Sequence, residues 1–143
     1  MADIDADLLS SDLSTSSNKL SVWRVDSEED EINAFIALGS NCNNLGTIWA
    51  VKISEDDVQT LSFEDNEGDI PAKNFNKQHR DISRLNYISM GTVIQGITNA
   101  IRDGRVVKKG RGEMKKLLSE AYSRNELDKD RMQTALLKAI SGK

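Results

Sequence analysis

LSVWRVDSEEDEINAFIALGSNCNNLGTIWAVKI, residues 20–53, reads as strand, helix, loop and strand. Leu20–Val25 is β-branched and aromatic in character, which suits a pleated, half-buried surface. Asp26 and Ser27 stop it. The Ser27 hydroxyl is placed to accept from an amide of the first helical turn, with Asp30 as a short-armed capping-box partner. Glu28, Glu29, Asp30 and Glu31 crowd that turn, where the helix dipole favours negative charge. Ile32, Phe35, Ile36 and Gly39 recur at helical spacing and make an apolar face. Gly39 is expected to end the helix in a left-handed conformation. Ser40–Gly46 is an Asn/Gly-rich turn, and Thr47–Ile53 is a second strand carrying Ile48, Trp49, Val51 and Ile53. The helix is long enough to serve as a crossover between parallel strands, and antiparallel pairing stays open.

On the N-terminal side, residues 1–18 form an acidic, Ser-rich leader with scattered apolar residues, Ile4, Leu8, Leu9 and Leu13. That is too little apolar surface to offset the entropy of ordering, so disorder in isolation is expected. On the C-terminal side, Ser54 caps a short acidic turn, and Val58, Leu61 and Phe63 are candidates to fold back on the core. Glu64–Gln78 holds the single proline, Pro71, among Asn and Gly residues and reads as a long loop. Ser89 opens a helix with a stripe of Met90, Val93, Ile94, Ile97 and Ile101, and Gly104 is placed to end it. Val106 and Val107 fit a short edge strand. Met114, Leu117, Leu118, Ala121 and Tyr122 form one further stripe. Met132, Ala135, Leu136, Ala139 and Ile140 form another after a turn at Ser123–Leu127, with Asp128 as its N-cap. This pair is similar in outline to the short C-terminal helical-hairpin modules that append oligomerisation surfaces to many bacterial proteins. The likeness carries no function over.

The expected fold is α/β or α+β: a small two- to three-stranded sheet, a crossover helix, a covering helix and a C-terminal helical hairpin. The expected organisation is the leader (1–18), a small core domain (19–104), and a basic linker with the hairpin (105–143). A hydrophobic share of 38% against 29% charged residues is lean but sufficient for one core. No apolar run reaches membrane-spanning length, and the basic and apolar regions of a signal peptide are lacking. A lone Cys42 cannot make an intrachain disulfide, so a cytoplasmic location is expected. The net charge of −4 hides a division: residues 1–70 hold 16 acidic and 3 basic side chains, and residues 71–143 hold 7 and 16.

His79-Arg80-Asp81-Ile82-Ser83-Arg84-Leu85-Asn86 resembles the protein-kinase catalytic loop, and Ala50-Val51-Lys52-Ile53 looks like the kinase strand lysine. The resemblance implies Asp81 orienting a substrate hydroxyl, Asn86 holding magnesium and Lys52 binding phosphates. The chain departs from that family decisively. Too few residues separate Lys52 from His79, no Asp-Phe-Gly follows Asn86, and Gly39 and Gly46 lack the phosphate-loop spacing. A single histidine without Cys pairs or carboxylates at ligand spacing points to no metal, and His79 is expected at the surface or packed in a loop. Trp23 and Trp49, each in a predicted strand, are expected in the core.

No catalytic residue, cofactor or metal is therefore expected. The preferred reading is a non-catalytic, charge-polarised protein-interaction subunit, adaptor or immunity-type binder of a larger cytoplasmic complex. The alternative is a nucleic-acid-contacting accessory protein using the basic segment, with Arg105, Lys108, Lys109, Arg111, Lys115 and Lys116 on phosphates. Against the alternative, Tyr122 is the sole aromatic residue of the last fifty, which leaves no stacking platform nearby in sequence. Deleting residues 1–17 should leave the melting temperature nearly unchanged; a large fall would show that the leader packs on the core.

Overall fold

A computed structural model describes residues 20–65 and 70–141, so the leader expected at 1–18 lies outside the described residues. The fold is mixed α+β. Its strands are β1 (Leu20–Trp23), β2 (Ile48–Val51), β3 (Ser62–Asp65), β4 (His79–Ser83) and β5 (Val106–Lys109). Its α-helices are α1 (Glu28–Ser40), α2 (Glu55–Val58), α3 (Tyr87–Arg102), α4 (Arg111–Ser123) and α5 (Thr134–Ser141). Two small antiparallel sheets result, one in the order β1-β4-β3 and one pairing β2 with β5. The described chain divides into two compact units, one of residues 20–22, 50–65 and 80–107, the other of residues 23–49, 70–79 and 108–141.

In the first unit β4 is the central strand. It pairs with β3 from Ser62 opposite Ser83 to Asp65 opposite Arg80. Arg84, at φ 56°, takes the chain out of β4 in a left-handed conformation. Asn86 then caps α3 reciprocally: its side-chain oxygen accepts from the Ser89 amide at 2.9 Å, and the Ser89 hydroxyl accepts from the Asn86 amide at 2.8 Å. Ile82, Leu85 and Val93 form the buried core of this unit, with Val22, Leu61, Met90 and Ile97 packed around them. On the same helix Gly96 and Ala100 are buried. A Cβ on Gly96 would stand 2.9 Å from the Ile53 Cγ2 atom, so this glycine sets how closely α3 lies to Ile53 and α2. Gly104, at φ 72°, ends α3 in the left-handed region.

In the second unit α1 starts as its sequence directs. The Ser27 hydroxyl accepts from the Asp30 amide at 3.1 Å, and the Asp30 carboxylate accepts from the Asp26 amide at 3.0 Å. Ala34, Phe35, Ile36 and Ala37 are buried. They meet α4, whose Met114, Leu118 and Ala121 are buried in turn. Asn125 turns the chain at φ 59°. The Asp128 amide donates to the Pro71 carbonyl at 2.7 Å, which fastens the turn to the segment before β4. Leu136 and Ile140 bury one side of α5.

Several expectations need correction. β1 and β2 are not neighbours: each pairs with a later strand, so α1 is not a crossover within one sheet. Gly39 does not end α1 in a left-handed turn. The helix continues to Ser40 and closes at Asn41, φ −97°. Gly39 instead lies buried against α4, where a Cβ would meet the Met114 methyl at 2.5 Å. Trp49 is not in the core but 64% exposed, because a two-stranded sheet leaves its side chain uncovered. His79 is not at the surface or in a loop; it begins β4 and is buried. α3 opens at Tyr87, two residues before Ser89, and Asp128 caps the short 3-10 turn Lys129–Arg131 rather than α5. Val93 is fully buried, so Val93→Ala should cost about 2 kcal/mol by lost burial and the cavity left behind. Urea unfolding should show this as a lower midpoint at unchanged slope.

Candidate functional site

The six basic residues singled out in the sequence divide into two kinds. Arg105 is a structural clamp in the first unit. Its guanidinium donates to the Lys52 carbonyl at 2.9 Å and to Asp103 at 3.2 Å, and stands 3.6 Å from Asp57. The Lys52 amide returns a bond to the Arg105 carbonyl at 2.9 Å. Lys109, in the second unit, is also engaged. Its ammonium lies 3.8 Å from Glu113, one helical turn on, and 5.8 Å from the centre of the Phe35 ring. Glu113 in turn accepts from the Gly110 amide at 3.3 Å, closing the first turn of α4.

Lys108, Arg111, Lys115 and Lys116 differ from these. All four are exposed, and no ion pair forms on them among the described residues. Arg111 and Lys115 are four apart on α4 and so share a side of it. Lys108 holds its ammonium 5.2 Å from the centre of the Trp49 ring. A cation over an indole is held by the ring quadrupole, worth about 0.5–1 kcal/mol at an exposed position. The aromatic side chain that the C-terminal sequence lacks is therefore supplied by β2. No local signal could show this, because the pairing of β2 with β5 joins residues nearly sixty positions apart.

The kinase-like stretch holds structural side chains. His79, Asp81 and Ser83 alternate along β4 and all are buried. The His79 ring meets Trp23 edge-on, 5.4 Å between centroids. Asp81 accepts from the Ser21 hydroxyl at 3.4 Å, and the Ser83 hydroxyl donates to the Ser62 carbonyl at 3.4 Å. Asn86, the magnesium ligand in the kinase pattern, spends its side-chain oxygen on the cap of α3. Glu28–Glu31 and Glu55–Asp57 sit in first helical turns. Among the described residues no group of three or more His, Cys, Asp or Glu is gathered as a metal would need.

Cys42 borders a cavity of about 80 Å³ lined by Gly39, Leu45, Ile48, Met114 and Leu118. Ligand pockets run to roughly 300–1,000 Å³, so this space is too small for a substrate. The thiol donates to the Leu38 carbonyl at 3.3 Å, and burial pushes its pKa up, away from the reactive thiolate.

A further surface lies on α3. From Leu85 to Ile101 there is no charged residue, in a chain that is 29% charged. The inner side of α3 accounts for Val93, Gly96 and Ala100, but the same gap covers its outer side. There Tyr87 is 98% exposed, Ile88 is 85% exposed, and Gly91 and Gln95 are exposed as well. The charge gap was visible in the sequence; only the burial of α3 tells which part of it faces water. Among the described residues no helix is long and apolar enough to cross a membrane. Comparison with family models, with curated proteins and with solved structures gives no match for the chain.

Proposed function

We propose that this chain is a non-catalytic protein-interaction subunit, an adaptor or immunity-type binder, that docks a partner on the outer side of α3. One observation carries the reading: Tyr87 and Ile88 are almost wholly exposed on a helix side that holds no charged residue before Arg102. A solvated helix face is normally charged or polar. Interface cores, by contrast, lose charge and gain aromatic side chains. Tyr supplies large contact area with few rotamers to freeze and keeps a hydroxyl for a hydrogen bond, which is why it recurs among binding hot spots.

The non-catalytic reading is supported by the lack of any charged residue on this side of α3 before Arg102. A cytoplasmic complex is the setting that suits a chain with one free thiol. Apolar contact at Tyr87 and Ile88 would make the complex tolerant of moderate salt, unlike one held by screened charge pairs.

The test is native purification of the tagged full chain, identification of the partner, and titration of wild type against Tyr87→Ala combined with Ile88→Ser. Exposed substitutions of this kind shift stability by roughly 0.5 kcal/mol or less each, so the variant should melt close to wild type. Affinity for the partner should fall by about 2 kcal/mol or more. A complex that forms equally well with the double variant would remove α3 from the interface.

A further inference from the structure

We propose that the Trp49 surface of the second unit binds single-stranded nucleic acid, with the indole as a base-stacking platform and Lys108, Arg111, Lys115 and Lys116 as phosphate contacts. The site uses none of the residues assigned to partner docking and does not rest on that reading.

Three features converge on this ligand. The first is an indole 64% exposed on a strand, a large flat apolar surface left in water. The second is the Lys108 ammonium, 5.2 Å from the ring centre. With 64% of the residue exposed beside this cation, the indole retains solvent-facing area for a second flat group. The third is charge. Lys108–Lys116 holds five basic residues against Glu113 alone, and that one acid is committed to Lys109 and to the Gly110 amide. The remaining cations are exposed and unpaired among the described residues, so contact with phosphate breaks no ion pair.

Stacking selects the strandedness. In a duplex the base faces are already covered by neighbouring pairs, whereas an unpaired base can lie on an aromatic ring whatever its identity. An acidic peptide would satisfy the cations but would leave the exposed indole without a partner of matching shape. Gly110 and Gly112 flank Arg111 and carry no side chain of their own, although the Glu113 carboxylate stands at the Gly110 amide.

The experiment titrates the full chain with fluorescein-labelled oligouridylate and oligothymidylate of about 20 nucleotides, a length that exceeds common single-strand site sizes. A duplex of equal length and polyglutamate are the comparison ligands. Both single strands should bind more tightly than either comparison ligand and should quench tryptophan emission. Trp49→Ala should weaken binding roughly 5- to 150-fold, the range for loss of one stacked base. Trp49→Phe should retain most of the affinity while abolishing the quench, since Trp23 remains as the unquenched fluorophore. Neutralising Lys108, Arg111, Lys115 and Lys116 to Gln should lower the salt dependence of log K by about 0.7 per lost contact. Lys109→Gln should change it less, because that ammonium is already paired. The proposal is overturned if the duplex or polyglutamate binds as well as the single strands, if Trp49→Ala has no effect, or if no binding occurs at low salt. All the substituted side chains except Lys109 are exposed, and Trp49→Phe decides the question even if Trp49→Ala lowers stability.

Discussion

The absence of one β-carbon governs the packing of the first unit. Gly96 lies on α3 opposite Ile53, and a Cβ there would stand 2.9 Å from the Ile53 Cγ2 atom and 3.6 Å from both the Asp57 and Val58 side chains. Ile53 is β-branched, and its Cγ2 is attached directly to Cβ, so it can retreat only by a change of rotamer or of backbone. Val93, one turn before Gly96, and Ala100, one turn after it, are fully buried on the same side of the helix. Pushing α3 outward at Gly96 would therefore loosen the contacts of Val93 with Ile82 and Leu85, the centre of that core. The same rigid placement fixes the outer side of α3, where Tyr87 and Ile88 stand. The exposed, uncharged side and the core side are thus two sides of one helix, distinguished by which side must approach its neighbours closely.

Local chemistry was legible where a residue acts on its own neighbours. The Ser27 cap, the acidic first turn of α1, the stripe on α3 and the left-handed Gly104 all follow from side chains within a few positions of each other. Partner choice was not legible. β4 opens on the polar run His79-Arg80-Asp81, of which Asp81 argues against a strand by propensity. It becomes one because Asp81 and Ser83 find polar partners, Ser21 and the Ser62 carbonyl, on strands far away in sequence. With β4 missed, β1 had no visible partner, and pairing it with β2 was the nearest choice. Gly39 shows a different ambiguity. A glycine late in a helix serves equally well as a stop or as a place of close approach, and only the presence of α4 decides between them.

The candidate sites were legible in composition but not in assembly. The basic segment stood out, yet two of its members, Arg105 and Lys109, are committed to carboxylates and to a backbone carbonyl. Its aromatic complement, Trp49, came from a strand that the sequence reading placed in the core. On α3 the reverse occurred: the apolar stripe was read and the uncharged outer side was overlooked, since a run without charge looks alike whether it faces core or water. A helix side free of charge is a question about burial before it is a statement about function.

Paired alanine substitutions on α3 test the close approach most directly. Gly91 and Gly96 lie on the same helix, but a Cβ at Gly91 meets nothing within 4 Å. Alanine is the better helix former by about 1 kcal/mol, so Gly91→Ala should raise the stability measured by thermal or urea unfolding. Gly96→Ala gains the same propensity but must displace Ile53, and should lower stability below wild type. A Gly96→Ala variant stabilised as much as Gly91→Ala would contradict the claim that this contact holds α3 in place.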